Sequence, residues 1–296
     1  DVPLDGRRNS IRSVETGLGN LVADSMLWAA RTNGPEFGVS KVDIALVGGG
    51  GLRNNNIINE DRMADFPLTE LDTFDIAPFA NFVSVVEGIT TAQLKQQLET
   101  TFSRTVISEG GVIPSGDGTG RFAQIAGMTV EYDPSAQAQL LDVNGNQVIA
   151  GVRIISATLD SGRKLIENGQ PVAGLPLNIA VTSFHAGGGD QWFWFLENIP
   201  FTTVGLTYQQ ALAEYVQAPV EEGGLGGEIT AGEYGFIGER IREQEDGFLF
   251  EWAPFTVQGW RISNWMGALW MGQRGNGFFY PKGWYFHPAL GWISLP

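Results

Sequence analysis

The run Val42-Asp43-Ile44-Ala45-Leu46-Val47 ends directly in four glycines, Gly48–Gly51, followed by Leu52-Arg53. It reads as a buried strand that stops at a tight loop. Upstream, residues 15–31 carry Leu18, Leu21, Val22, Ser25, Met26 and Ala29 at helical spacing, the mark of an amphipathic helix. A helix followed by a buried strand makes the first half a mixture of α and β. Residues 74–87 read as extended chain, and Thr90 or Thr91 is a candidate N-cap for a helix running to Arg104. Residues 128–133 and 140–156 alternate like strands, with Asn144-Gly145 as a hairpin turn. Leu177–Thr182 reads as another strand and Thr207–Val216 as a helix.

Thirty-three acidic residues stand against 18 basic ones, a formal charge of −15. Such a surface repels phosphate backbones, so nucleic acid is an unfavourable partner, whereas a local basic pair can still hold a small anion. There is no cysteine, which removes disulfides, thiolate metal sites and a cysteine nucleophile. No apolar run reaches the roughly 18–20 residues of a membrane span. No signal peptide opens the sequence, and a start at Asp1 without Met suggests a processed or trimmed chain.

Four segments carry candidate chemistry. Gly48–Arg53 joins a glycine loop, which exposes backbone N–H groups and lets a ligand approach closely, to a guanidinium fork. No Gly-Lys-Ser/Thr follows, so it is not a Walker loop. Arg12–Asp24 gathers Arg12, Glu15, Asn20 and Asp24 around a helix start, where the carboxylates can cap backbone groups or orient Arg12. Ile76-Ala77-Pro78-Phe79 is the third. Thr182-Ser183-Phe184-His185-Ala186-Gly187-Gly188-Gly189-Asp190 is the fourth: glycines clear space beside Phe184, and Asp190 can accept from sugar hydroxyls. Two facing rings would sandwich a flat base.

These four segments, taken in chain order, resemble the C-terminal domain of the 5'-nucleotidases over about residues 4–217. Arg12-Ser13-Val14-Glu15-Thr16-Gly17-Leu18-Gly19-Asn20-Leu21-Val22-Ala23-Asp24 is similar to the opening signature of that domain. Leu4-Asp5-Gly6-Arg7-Arg8 resembles the segment that joins it to a catalytic domain. Gly48–Arg53, Pro78-Phe79, Phe122–Tyr132 and Phe184–Asp190 follow in the family's order. The resemblance implies an α+β fold, a mixed sheet with flanking helices. It also implies that Phe79 and Phe184 clamp a base, that Asp190 binds ribose hydroxyls, and that Arg12 and Arg53 meet the ribose-phosphate end, with Gly49 and Gly50 beside them. Gly48 and Gly187 stand where the family has asparagines, and Gln191 where it has a glycine.

The family hydrolyses phosphate esters with two metals in a separate N-terminal domain. This sequence has two histidines, His185 and His287, and no Asp-x-His or Asn-His-Glu cluster. The expectation is therefore a nucleoside- or nucleotide-binding domain with no catalytic residue and no cofactor of its own, the divalent metals belonging to an upstream metallophosphatase domain. His185 reads as a loop histidine and His287 as one packed in the aromatic tail. Residues 219–246 hold eight carboxylates among many glycines and read as an acidic linker. Six of the nine tryptophans lie in 247–296, which reads as a small Trp-rich β module. That tail opens an alternative role, a structural or self-assembling surface protein whose tail docks on a neighbouring copy or a surface partner. Either role places the chain outside the cell, in a periplasm or on a bacterial surface.

Overall fold

The computed structural model describes residues 2–58, 68–103, 119–142, 146–192 and 199–244, and the backbone of short strands within 105–114 and 255–294. The chain forms two units, Asp1–Gln244 and Glu245–Pro296.

The first unit is built on a mixed five-stranded sheet. Its strand order is Phe201–Thr207, Phe82–Ile89, Leu177–Thr182, Ile44–Gly48, Ala123–Ala126. The two middle strands, 177–182 and 44–48, run parallel, and the other pairs are antiparallel. Side chains alternate across a strand, so the apolar run at 44–47 feeds two cores. Ala45 and Val47 face the helices Gly17–Asn33 and Tyr208–Gln217, in a core with Leu18, Leu21, Met26 and Leu212. Ile44 and Leu46 face the opposite layer, with Leu94 and Leu98 of the helix Thr91–Thr101 and Met128, Val130 and Ile154 of a second sheet. That sheet orders Gln170–Pro171, Lys164–Glu167, Ile154–Leu159, Met128–Tyr132, Ile241–Glu243. The result is the α+β architecture with a mixed sheet and flanking helices. Among the described residues, no helix is long and apolar enough to cross a membrane.

Local chemistry sets the helix starts. Thr16 accepts from the amide of Gly19, and Thr90 and Thr207 form capping boxes with Gln93 and Gln210. Residues 74–76, read as extended, are helical: Glu70–Ile76 begins at a further capping box, Thr69 with Asp72, which fixes the first turn. The hairpin turn expected at Asn144-Gly145 lies outside the described residues.

The acidic linker expected at 219–246 is corrected through Gln244. Leu225, Tyr234 and Ile241 are buried, and Ile241–Glu243 joins the second sheet as a parallel edge strand beside Met128–Tyr132. The Glu15 carboxylate accepts from the backbone amides of Arg240 and Ile241, and the Arg240 guanidinium forks onto Asp24 at 2.7 and 2.8 Å. The carboxylates of the Arg12–Asp24 segment thus bind the far end of the unit and not Arg12. In the second unit, Phe255–Val257 pairs with Trp260–Ile262, and Phe278–Tyr280, Trp284–His287 and Gly291–Ser294 form a meander. The aromatic side chains on which the tail's expected role depends lie outside the described residues.

Candidate functional site

Three loops at one end of the first sheet build a cleft: two follow its parallel strands, and the other leads into the antiparallel strand Phe82–Ile89. The first follows the strand Ile44–Gly48. Gly49–Gly51 make one tight turn against the loop at 119–122, where the Gly49 amide donates to the Phe122 carbonyl and the Gly50 amide to that of Gly120. These two amides are therefore spent within the fold. The glycines serve by close approach: a Cβ on Gly49 would lie 2.2 Å from the carbonyl oxygen of Ile11, and one on Gly50 would lie 3.0 Å from the Asp190 carboxylate. The Arg53 amide donates to Ile76, which ties the end of this turn to the helix that precedes Phe79.

Tyr208 fastens the second loop. Its hydroxyl donates to the Gly51 carbonyl at 2.8 Å and accepts from the Phe79 amide at 3.3 Å. Burial pushes this phenol up to about 12, so it remains a neutral donor. Arg53 then lies over the Phe79 ring, 5.1 Å from its centroid, in a cation–π arrangement.

The third loop follows the strand Leu177–Thr182. Phe184 sits in a single helical turn capped by Thr182. A Cβ on Gly189 would lie 2.4 Å from the Phe184 ring, so glycine there makes room for the ring. Asp190 is left-handed, at φ 54 and ψ 29, and Gln191 follows at φ 61. Asp accepts this region better than most residues. The Gln191 side chain is held by Arg121 at 2.6 Å and by its own donation to the Asp142 carbonyl.

Together these loops enclose about 310 Å³. Arg53, Phe79, Phe184 and Asp190 line the cleft, with Gly50, Gly51, Asn81 and His185 completing the wall. Phe79 and Phe184 are 42% and 47% exposed. Two half-exposed rings in one glycine-walled cleft are apolar surface free to meet a flat ligand. Gly49 is buried behind the turn. Arg12 lies within electrostatic reach of Arg53 and Asp190. It is buried, and its Nε has no hydrogen-bond partner. Burial, then the neighbouring Arg8 and Arg53, push its pKa down, while Asp190 opposes them. A guanidinium so placed gains from an anion. Gln124 fixes the loop that carries Arg12, donating to the carbonyls of Ile11 and Val14 and accepting from Thr16.

His185 is not a loop histidine. It is 2% exposed and stacks on Trp192 at 4.1 Å. A Cβ on Gly48 would lie 2.5 Å from its ring, so a side chain at 48 and this imidazole compete for one space. The Gly48 backbone, at φ −68 and ψ 130, suits any residue. Gly48→Ala is therefore expected to cost about 1–3 kcal/mol of stability by overpacking alone. Made in a His185→Ala background, the same substitution should cost much less in urea unfolding. Equal costs in both backgrounds would show that the two positions do not compete.

Among the described residues, no group of three His, Cys, Asp or Glu side chains is placed to hold a metal ion. The cleft lining includes one carboxylate, Asp190, and one buried imidazole, His185.

Residues 1–197 match the family described as the 5'-nucleotidase C-terminal domain. The trifunctional nucleotide phosphoesterase YfkN of Bacillus subtilis (strain 168) is 30% identical over 199 residues, 67% of this chain and 11% of that protein. A 5'-nucleotidase precursor from Thermus thermophilus is similar in fold, with a TM-score of 0.58 at 22% identity over 82% of this chain and 38% of the other. The NAD nucleotidase NadN of Haemophilus influenzae matches at 0.52 and 14%, over 83% of this chain and 37% of its own. The chain thus spans only a minor part of each of these relatives. On the matched residues and the shared fold, it belongs to the 5'-nucleotidase C-terminal domain family.

Proposed function

We propose that this chain binds a nucleoside or nucleotide in the cleft between its three loops, as the recognition domain of an extracytoplasmic nucleotide phosphoesterase whose metals are held on another domain. The observation that carries this reading is the convergence of Arg53, Phe79, Phe184 and Asp190, from three separate stretches of sequence, on one cleft. The base stacks between Phe79 and Phe184, Asp190 accepts from the sugar hydroxyls, and Arg12 with Arg53 draws the phosphate end. Nucleotide phosphoesterase activity in YfkN and the precursor form of the Thermus protein support the substrate class and the location.

Calorimetric titration with adenosine and AMP tests the reading. Phe184→Ala should weaken both by roughly 10–100-fold, the equivalent of the ~1–3 kcal/mol that one stacked base contributes. Unchanged affinity would remove Phe184 from the clamp. With AMP and Mn²⁺ or Mg²⁺, this chain alone should release no phosphate, and sustained turnover would refute the assignment of the metals to another domain.

A further inference from the structure

We propose that His185 is a positioning residue for ligand recognition, its Nε2 hydrogen directed at the Asp190 carboxylate so that this carboxylate stays turned into the cleft. The ring is locked on three sides. Trp192 stacks against it, Gly48 leaves it space, and its Nδ1 lies 2.8 Å from the Thr182 hydroxyl. That hydroxyl oxygen already accepts the His185 amide as a helix cap. Its hydrogen is then free for Nδ1, which leaves the ring proton on Nε2. Nε2 is buried and makes no hydrogen bond, and Asp190 Oδ2 faces it at 3.9 Å. The other tautomer would set the Nε2 lone pair against the carboxylate. At 3.9 Å the attraction is electrostatic; the imidazole is buried while the carboxylate, 38% exposed, keeps contact with the cleft.

Asp190 needs such a hold. Its left-handed backbone is uncommon outside glycine, and its carboxylate lies where Cβ atoms on Gly50 and Gly120 would come within 3.0 and 2.9 Å. The groups that reach it are His185, Arg121 and Arg12, and together they keep its carboxyl below the usual carboxylate range against the opposing effect of burial. For His185 itself, burial pushes the imidazole below its ordinary 6.5, and Asp190 pulls the other way. The ring is therefore neutral near neutrality. On acidification the unfolded chain takes up this proton before the folded one, so stability falls as the pH drops below 6.5. Protonated His185 keeps the same Nε2 donor toward Asp190 and holds the carboxylate more strongly.

The inference rests on the cleft being the binding site, and the test separates the two. Adenosine is the probe because it carries no titrating phosphate. His185→Leu removes the N–H, and His185→Gln returns a donor. Titration of the Asp190 carboxylate by ¹³C NMR should show a higher pKa in His185→Leu and a value near the wild type in His185→Gln. Adenosine Kd should rise roughly tenfold in the first and return to within about threefold in the second. Circular dichroism establishes that each variant folds. An Asp190 titration and a Kd both unchanged in His185→Leu overturn the proposal, as does a folded His185→Gln that rescues neither. Binding lost in Asp190→Asn but kept in His185→Leu rejects the role of His185 and leaves the cleft reading standing. No adenosine binding by the wild type rejects the cleft reading and with it the ligand role of His185, while the carboxylate titration still decides whether His185 holds Asp190.

Discussion

Glu15→Ala is expected to lower the unfolding free energy by about 3–5 kcal/mol. The carboxylate is buried and serves three donors: Asn20 Nδ2 at 2.8 Å, the Arg240 amide at 3.0 Å and the Ile241 amide at 2.7 Å. Alanine leaves these donors without an acceptor where water reaches poorly, and each orphaned group costs about 1–3 kcal/mol. Glu15→Gln keeps one accepting oxygen and should lose roughly half as much. The damage should begin at the edge strand Ile241–Glu243, because the Glu15 bonds and the Arg240–Asp24 pair hold it to the helix Gly17–Asn33. Limited trypsin digestion after Arg240 and Arg242 should therefore accelerate more than global unfolding does. A loss under about 1 kcal/mol in urea unfolding, with unchanged digestion, would show that this contact does not anchor the segment.

The same contact shows why part of the fold was closed to sequence reading. The strand at 44–48 and the helices at 17–33, 91–101 and 208–217 are written in local patterns: apolar spacing, and the capping boxes of Thr90 with Gln93 and Thr207 with Gln210. Thr69 and Asp72 use the same grammar, yet only a residue-by-residue search for cap pairs would have found that helix. The segment 219–244 has few apolar residues. Its place is set by Glu15, 225 and 226 positions from the two amides it binds, and no local period reports such a bond.

The site divides in the same way. Arg53, Phe79, Phe184 and Asp190 stand in recognisable motifs, and the structure brings them to one cleft. Tyr208, Arg121 and Gln124 carry no motif, because they act through backbone carbonyls and amides or through neighbours that only the folded chain supplies. The glycine loop was legible as a close approach. Its amides were not, since their partners lie in the loop at 119–122. His185 gave no local signal for a related reason: its burial depends on Gly48 and Trp192, from a separate strand and from beyond the glycine run.

Asp190→Ala should have the largest effect on binding, a loss in adenosine affinity of roughly 100-fold or more. The carboxylate is acceptor-only, and in the proposed binding mode two adjacent sugar hydroxyls are the donors it serves. Hydrogen bonds to a charged group contribute about 1.5–3 kcal/mol each, and every ~1.4 kcal/mol is tenfold in Kd. Alanine also tolerates the left-handed backbone at φ 54 less well than Asp, so part of the loss comes from a shifted loop. Asp190→Asn separates the two effects, since Asn keeps the left-handed preference and one accepting oxygen; it should lose roughly tenfold. Deoxygenated ligands complete the cycle. The wild type should discriminate adenosine from 2'- and 3'-deoxyadenosine, and Asp190→Ala should not, because the partner of the missing hydroxyl is already gone. If the variant discriminates as well as the wild type, the hydroxyls are read by another residue, and Asp190 serves only to shape the loop beside Phe184.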